Sequence, residues 1–363
     1  MLIEAAVLSA PRTPVAIETV TLDPPQRGEV LVRYLASGVC HSDLHVVDGE
    51  WARPMPVVMG HEGAGVVASV GEAVTAVRPG DRVVLSWVYP CGECPVCLRG
   101  RTWLCEQTSA GRHVLADGGT RVRRADGTSL YQYLAIGTMA EAAVVPAAAC
   151  VPISADVPPE VAALIGCAVA TGIGAVVNTA QVPPGAPVCI VGCGGVGLSA
   201  VMGAALAGAG PIVAVDTAEP ALELALAAGA SDIVPATDGW DDRVRELTGG
   251  VDYAFDCIGS AAVVAALGGI LAPGGTIVLV GMTAQGETVP VDGYRFPDRG
   301  YRLLGSSYGS CVAALDFPRI AQLYLAGKLP LDLLVTRRIE LTGVNDALQA
   351  MRDRAGGRAV IVM

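Results

Sequence analysis

The chain has 363 residues, 52% of them hydrophobic and 16% charged, enough to bury the cores of two domains and too apolar for a disordered tail. Its net charge of -11 and pI near 4.8, with Lys328 the single lysine, work against binding a phosphate backbone, so no nucleic-acid partner is expected. The opening Met1-Leu2-Ile3-Glu4 carries no basic, apolar or cleavable leader pattern, so a cytoplasmic protein is expected, and among its eleven cysteines the clustered ones read as metal ligands rather than as disulfides.

The first stretch, to about residue 168, holds short β-type runs broken by Gly and Pro, at 29–34, 65–70 and, after Pro79-Gly80, 81–85. It predicts an irregular, mostly antiparallel β domain. Within it, CGECPVCLRGRTWLC places Cys91, Cys94, Cys97 and Cys105 in a C-x2-C-x2-C-x7-C array, a spacing that lets one short lobe wrap four thiolates around a tetrahedral ion. Four thiolates leave no open coordination position, so the expected role is structural, with metal binding contributing to folding of the lobe. An iron–sulfur cluster is the other chemistry that four cysteines serve. Gly92, Glu93, Pro95 and Arg99 mark the array as an exposed loop rather than buried apolar packing.

Residues 161–215 contain no Asp, Glu, Lys, Arg or His, and hydropathy alone would read them as a membrane span. Pro183, Pro184, Gly185, Pro187 and the glycines from Gly192 to Gly197 cut the stretch into pieces, and no cationic flanks set an orientation. Buried parallel strands with a packing helix explain it better, and no membrane partner is expected.

From about residue 169, strands at 188–191, 212–215, 253–256 and 276–280 alternate with helices running to 209 and over 218–228, the rhythm of a doubly wound α/β sheet. The last stretch, from about 309, is mixed and ends in a strand at 358–362. The expected organisation is therefore 1–168, 169–308 and 309–363.

Gly192-Cys193-Gly194-Gly195-Val196-Gly197 follows the strand ending at Val191 and opens a helix, the context in which G-x-G-x-x-G lets a pyrophosphate approach a helix N-terminus. Asp216 ends the next strand, where a carboxylate accepts hydrogen bonds from the adenosine ribose and repels a 2′-phosphate. No Lys or Arg lies between Arg124 and Arg243 to neutralise such a phosphate, so NAD is expected over NADP.

Three further candidate ligands lie far apart: Cys40 in GVCHSDLH, His61 in GHEGAG and Cys167 in LIGCAVATG. The run GHE-x2-G-x5-G-x2-V, from Gly60 to Val74, resembles the zinc alcohol dehydrogenase signature, and the cysteine array and the other ligand segments follow in the same order. Over essentially its whole length the chain resembles the zinc-dependent alcohol dehydrogenases of the medium-chain dehydrogenase/reductase family.

That resemblance implies a GroES-like catalytic domain, a Rossmann cofactor domain, NAD, and two zinc ions per subunit, the structural one in the four-cysteine array. It implies that Cys40, His61 and Cys167 hold the catalytic zinc, which acidifies the hydroxyl of an alcohol, with Glu62 close to the metal and Asp43 orienting the ligand histidine. It gives Ser42 and His45 a proton relay that runs through the cofactor ribose, His41 and Arg358 contacts with the pyrophosphate, and Thr171 a place near the nicotinamide. Trp51 and Trp87 match substrate-lining positions, which points to a primary alcohol with a hydrophobic or aromatic group and its aldehyde. Residues 111–137 resemble the longer loop of dimeric members, implying a homodimer.

Competing readings are a thiol-adduct formaldehyde dehydrogenase, whose members carry polar groups where Trp51 stands, and a reductase of an activated C=C or C=N bond. A non-enzymatic zinc-binding interaction module explains the cysteine array and leaves the glycine turn, Asp216 and the dispersed ligands without a role.

Overall fold

The structure, a computed structural model, describes residues 1–353 and 357–363; the side chains of Ser109 and Ala110 lie outside the description. The chain forms two compact units, the first built from Met1–Cys167, Val312–Ala326 and Val335–Met363, the second from Ala168–Cys311 and Gly327–Leu334.

The first unit starts with β1 (Leu2–Leu8), β2 (Ala16–Leu22), β3 (Glu29–Gly38), β4 (Val57–Val58), β5 (Glu62–Val70), β6 (Arg82–Leu85), β7 (Val122–Arg123), β8 (Tyr131–Gln132), β9 (Ala142–Pro146) and β10 (Cys150–Pro152). The second unit supplies β11 (Val188–Val191), β12 (Ile212–Asp216), β13 (Asp232–Pro235), β14 (Val251–Asp256), β15 (Leu271–Leu279) and β16 (Arg302–Gly305). The chain then returns to the first unit with β17 (Val335–Ile339) and β18 (Arg358–Val362). The helices used below are α1 (His41–Val47), α2 (Pro95–Leu98), α3 (Pro159–Leu164), α4 (Ala170–Gly174) and α5 (Gly195–Leu206).

In the first unit, one sheet has the order β7-β2-β1-β4-β8 and the other β10-β6-β5-β3-β18-β17, with β9 also pairing β3. Pairing is antiparallel except for β4 with β8 and β17 with β18. Alternation along β3 turns Val30, Val32 and Tyr34 into a core with Val67, Val83 and Leu85. Val360 of β18 pairs with Gly38 at the end of β3, which brings the C-terminal strand beside the segment carrying Cys40.

The second unit is a six-stranded parallel sheet in the order β13-β12-β11-β14-β15-β16. The strand order reverses at β11, whose neighbours are β12 on one side and β14 on the other, so the carboxyl end of β11 lies at a topological switch point. Strand β15 begins before the expected 276, running back through Pro273-Gly274-Gly275, and the helix expected to reach 209 ends at Leu206.

The uncharged stretch differs from the sequence expectation at its start. Pro159–Ala180 is one unbroken helical run of 22 residues, in which α3 and α4 are each followed by a π-type turn, Ile165–Val169 and Ala175–Ala180. It is long and apolar enough to cross a membrane by composition alone, yet 89% of its most apolar window is buried inside the protein.

Candidate active site

Cys40, His61, Glu62 and Cys167, all in the first unit, converge so that one ligand atom from each lies within 4.8 Å of every other. Cys40 is the N-cap of α1, His61 sits directly before β5, and Cys167 lies in the π turn after α3. The wider turn changes the helical phase, a device found at functional positions. Gly60, at φ +89, lets the chain enter this corner, and a side chain there would meet the Met139 Cγ at 2.6 Å.

A single carboxylate braces two of these groups. Asp43, fully buried, accepts the backbone N–H of Cys40 at Oδ2 (2.9 Å) and faces the Nδ1 of His61 with Oδ1 (3.1 Å). The Nδ1–H of His61 then donates to Asp43 and Nε2 is left as a ligand atom. Burial works against a charged His61, but Asp43 and the Cys40 sulfur outweigh it and hold the pKa well above the usual imidazole value. The Cys167 thiol, donating to Cys40, is the largest cause that lowers the Cys40 pKa, and the same contact raises that of Cys167. Burial pushes Glu62 up to about 7 against the opposing guanidinium of Arg358, with which it forms a buried ion pair. The Arg358 Nε is buried without a hydrogen-bond partner among the described residues.

The donor set fits zinc. Three sulfur and nitrogen ligands with a nearby carboxylate and a braced histidine make the open kind of site that leaves a position for substrate.

The second cluster is local. Cys91, Cys94, Cys97 and Cys105 also lie with their sulfurs within 4.8 Å of one another. Tetrahedral zinc at about 2.3 Å from each sulfur spaces the thiolates about 3.8 Å apart, and Cys91 and Cys97 are 4.0 Å apart. Backbone N–H groups already point at the sulfurs: Cys94 to Cys91 (3.2 Å), Cys97 to Cys94 (3.5 Å) and Cys91 to Cys105 (3.3 Å). The Cys97 N–H is the main cause that lowers the Cys94 thiol to about 6, whereas burial pushes Cys97 up to about 12. Cys94, Cys97 and Cys105 with Val96 form a small core of their own.

In the second unit, Gly194 caps α5 and a Cβ there would meet nothing within 4 Å, an open cradle over a helix N-terminus. Gly192 takes φ +94, and a side chain on it would strike Ile258. Asp216 accepts the N–H of Cys193 (2.6 Å) and of Ala218 (2.9 Å), so the carboxylate both holds the glycine turn and stands at the end of β12. Thr171 is buried in α4, whose Gly172 packs against α5.

The remaining expected residues fall on or near α1. His41 and Ser42 open the helix, and His45 lies one turn after Ser42. Trp51 is buried in the core with Leu44, Val47 and Met59, and its ring also stacks on His45 at 4.5 Å and lies 5.6 Å from the Arg53 guanidinium. Trp87 is partly buried and packs against the β3–β5–β6 core.

Sequence reasoning did not single out His113 and Tyr133. Tyr133 meets His61 edge-on at 5.4 Å and lies parallel to His113 at 5.4 Å, while the Leu134 N–H donates to the His113 Nδ1 (2.8 Å). His113, Leu134 and Ala135 all take positive φ, a concentration of backbone strain beside the metal-ligand cluster that no local sequence signal marks.

Residues 26–155 match the model of the alcohol dehydrogenase GroES-like domain and residues 195–326 that of the zinc-binding dehydrogenases. Over 98% of both chains, the protein is 37% identical to an S-(hydroxymethyl)glutathione dehydrogenase of Escherichia coli O1:K1 / APEC. The chain belongs to the zinc-dependent alcohol dehydrogenases of the medium-chain dehydrogenase/reductase family.

Two solved structures agree along the whole length. An alcohol dehydrogenase zinc-binding domain protein from Burkholderia ambifaria is 35% identical with a TM-score of 0.95, and the benzyl alcohol dehydrogenase of Acinetobacter calcoaceticus is 31% identical with a TM-score of 0.94. Each match covers 100% of this chain and 99% of the other. The dehydrogenase is a zinc-dependent oxidoreductase that joins a GroES-like domain to a Rossmann-type domain.

Proposed function

We propose that this dehydrogenase transfers a hydride between NAD(H) and a primary alcohol/aldehyde pair bearing a hydrophobic or aromatic group. The observation that carries the reading is the buried Cys40, His61 and Cys167 cluster braced by Asp43, because such a set binds zinc and leaves a position for substrate. Zinc held there supplies Lewis acidity, lowering the pKa of the substrate hydroxyl and polarising the aldehyde carbonyl.

The chain's own residues do the rest. Asp43 fixes the orientation of His61, and Glu62 with Arg358 keeps a neutralised carboxylate beside the cluster. Ser42 and His45 take the proton that leaves the alcohol, while His41 and Arg358 offer cationic or hydrogen-bonding groups to the cofactor phosphates. In the second unit the open backbone at Gly194 receives the pyrophosphate, with Gly192, Gly195, Val196 and Gly197 shaping the turn and Thr171 in the neighbouring α4. Asp216 favours NAD, since a 2′-phosphate would face its carboxylate. Cys91, Cys94, Cys97 and Cys105 hold a second, structural zinc.

The aromatic preference rests on Trp51 and on Tyr133, whose ring meets His61. The second reading, oxidation of the adduct between formaldehyde and a thiol such as glutathione, is favoured by the name of the 37% identical relatives. NADH formation with benzyl alcohol and without thiol supports the first reading. Turnover confined to formaldehyde plus glutathione replaces it with the second, and an enzyme that neither oxidises alcohols nor reduces aldehydes refutes both.

The homodimer is supported by the free outer edge of β16 and the exposed Leu303 on it, a strand able to pair with a copy of itself. Light scattering on the purified enzyme tests it, with a monomer mass as the contrary result.

A further inference from the structure

Oxidising an alcohol in a buried site frees a proton that must reach water. We propose that Glu50 is a positioning residue for that exit, holding His45 with its Nδ1–H toward the carboxylate, leaving Nε2 as the proton acceptor, and stabilising the imidazolium that forms. The inference rests on the alcohol dehydrogenase reading above.

Four observations carry it. Ser42 and His45 are three residues apart on α1 and therefore share one face, so a hydroxyl and an imidazole lie on the same side of the helix. His45 Nδ1 pairs directly with a carboxylate oxygen of Glu50. The His45 side chain is 18% exposed and that of Glu50 48%, so the pair runs from the interior toward solvent. The arrangement is rigid: the backbone N–H groups of Glu50 (2.9 Å) and Trp51 (3.2 Å) both donate to the His45 carbonyl, and the Trp51 ring stacks on the imidazole at an interplanar angle of 23°.

The other charged or titratable groups around His45 do not duplicate Glu50. His41 meets the ring edge-on at 4.9 Å, and Arg53 lies against Trp51; both oppose a positive charge on His45. Asp48, at the end of α1, is already paired with Arg352 of the helix Val344–Arg352 at 2.6 Å. Glu50 is thus the anion in contact with the imidazole among the described residues.

The step balances without a further reactant. The hydroxyl proton passes by way of Ser42 and the cofactor ribose to His45 Nε2, the carbon's hydride leaves with its electron pair to NAD, and the imidazolium returns a proton to bulk water. Glu50 neither gives nor takes a proton in the step, which is the behaviour of an orienting carboxylate beside a catalytic histidine.

Glu50→Gln keeps an acceptor oxygen and removes the charge, so it separates electrostatics from packing. In the zinc-loaded enzyme, NMR titration of histidine-labelled protein should show the His45 pKa falling by about one unit, since a neighbouring anion favours the charged form. The acidic limb of kcat/KM for benzyl alcohol oxidation should move to lower pH by the same amount, with kcat on the plateau falling about three- to tenfold. Glu50→Asp should restore part of both, and zinc content and Tm should stay at wild-type values. An unchanged His45 pKa with an unchanged acidic limb would overturn the proposal, as would equal loss in Glu50→Gln and Glu50→Asp. A wild-type enzyme that oxidises no alcohol would refute the functional reading instead, while the NMR titration would still decide whether Glu50 governs His45.

Discussion

The two clusters of metal-binding side chains are built from the same donors and reach their geometry by opposite routes. Cys91 to Cys105 span fifteen residues of one lobe, with backbone N–H groups directed at the sulfurs and a core made of little besides those cysteines. Cys40, His61 and Cys167 span more than a hundred residues and meet because β3, β5, β18 and the helical run from Pro159 are packed against one another. The difference teaches where the ordering energy comes from. In the lobe the metal must supply it, because a short loop without an apolar core cannot offset its conformational entropy. In the dispersed cluster the scaffold supplies it in advance, and the metal arrives at ligands already braced by Asp43 and surrounded by buried side chains.

Substitutions at the two clusters should therefore fail in different ways. The largest effect is expected for Cys40→Ser, which should lower kcat/KM by about 1000-fold or more while the circular dichroism spectrum and Tm change little. Comparable loss of activity from Cys97→Ser should come with early unfolding of the lobe, visible as protease cleavage between residues 91 and 105. If both variants unfold alike, the contrast between a scaffolded and a metal-ordered site is wrong.

A smaller effect is expected for Asp43→Asn. It keeps the size of the brace, loses the charge, and should reduce catalytic zinc affinity or activity about 10- to 100-fold without touching the lobe's metal. Retained wild-type zinc affinity and activity would remove Asp43 from the account.

The smallest effect at neutral pH concerns the aromatic wall beside His61. Burial, assisted by Arg53, lowers the His113 pKa to about 4. The unfolded chain binds this proton below the ordinary histidine value of about 6.5, while the folded one resists until about 4. Stability from this residue is therefore complete above pH 6.5 and lost as the pH falls toward 4, by up to about 3 kcal/mol. His113→Gln should flatten the acid branch of a Tm-against-pH curve between those limits; an unchanged branch would show that His113 does not set it.

Much of this was legible in the sequence, and the parts that were not share a cause. The cysteine array and the glycine turn are local patterns whose spacing encodes their geometry, and strands such as Val188–Val191 and Arg358–Val362 lie where residue type and turn signals place them. The π turn that presents Cys167 was invisible, because Pro159–Ala180 is apolar on every side and carries no period to mark a change of helical phase. The resemblance places Arg358 at a phosphate-contacting position and gives no sign of its buried pairing with Glu62, 296 residues away in the chain. Glu50, His113 and Tyr133 gave no signal either, since their roles depend on rings and carboxylates that tertiary packing brings together.

Counting zinc per subunit in the wild type, Cys40→Ser and Cys97→Ser tests the central claim most directly. Two separately built sites predict about two zinc ions in the wild type and about one in Cys40→Ser, with the lobe still resistant to protease. One zinc in the wild type, or loss of both from Cys40→Ser, would contradict it.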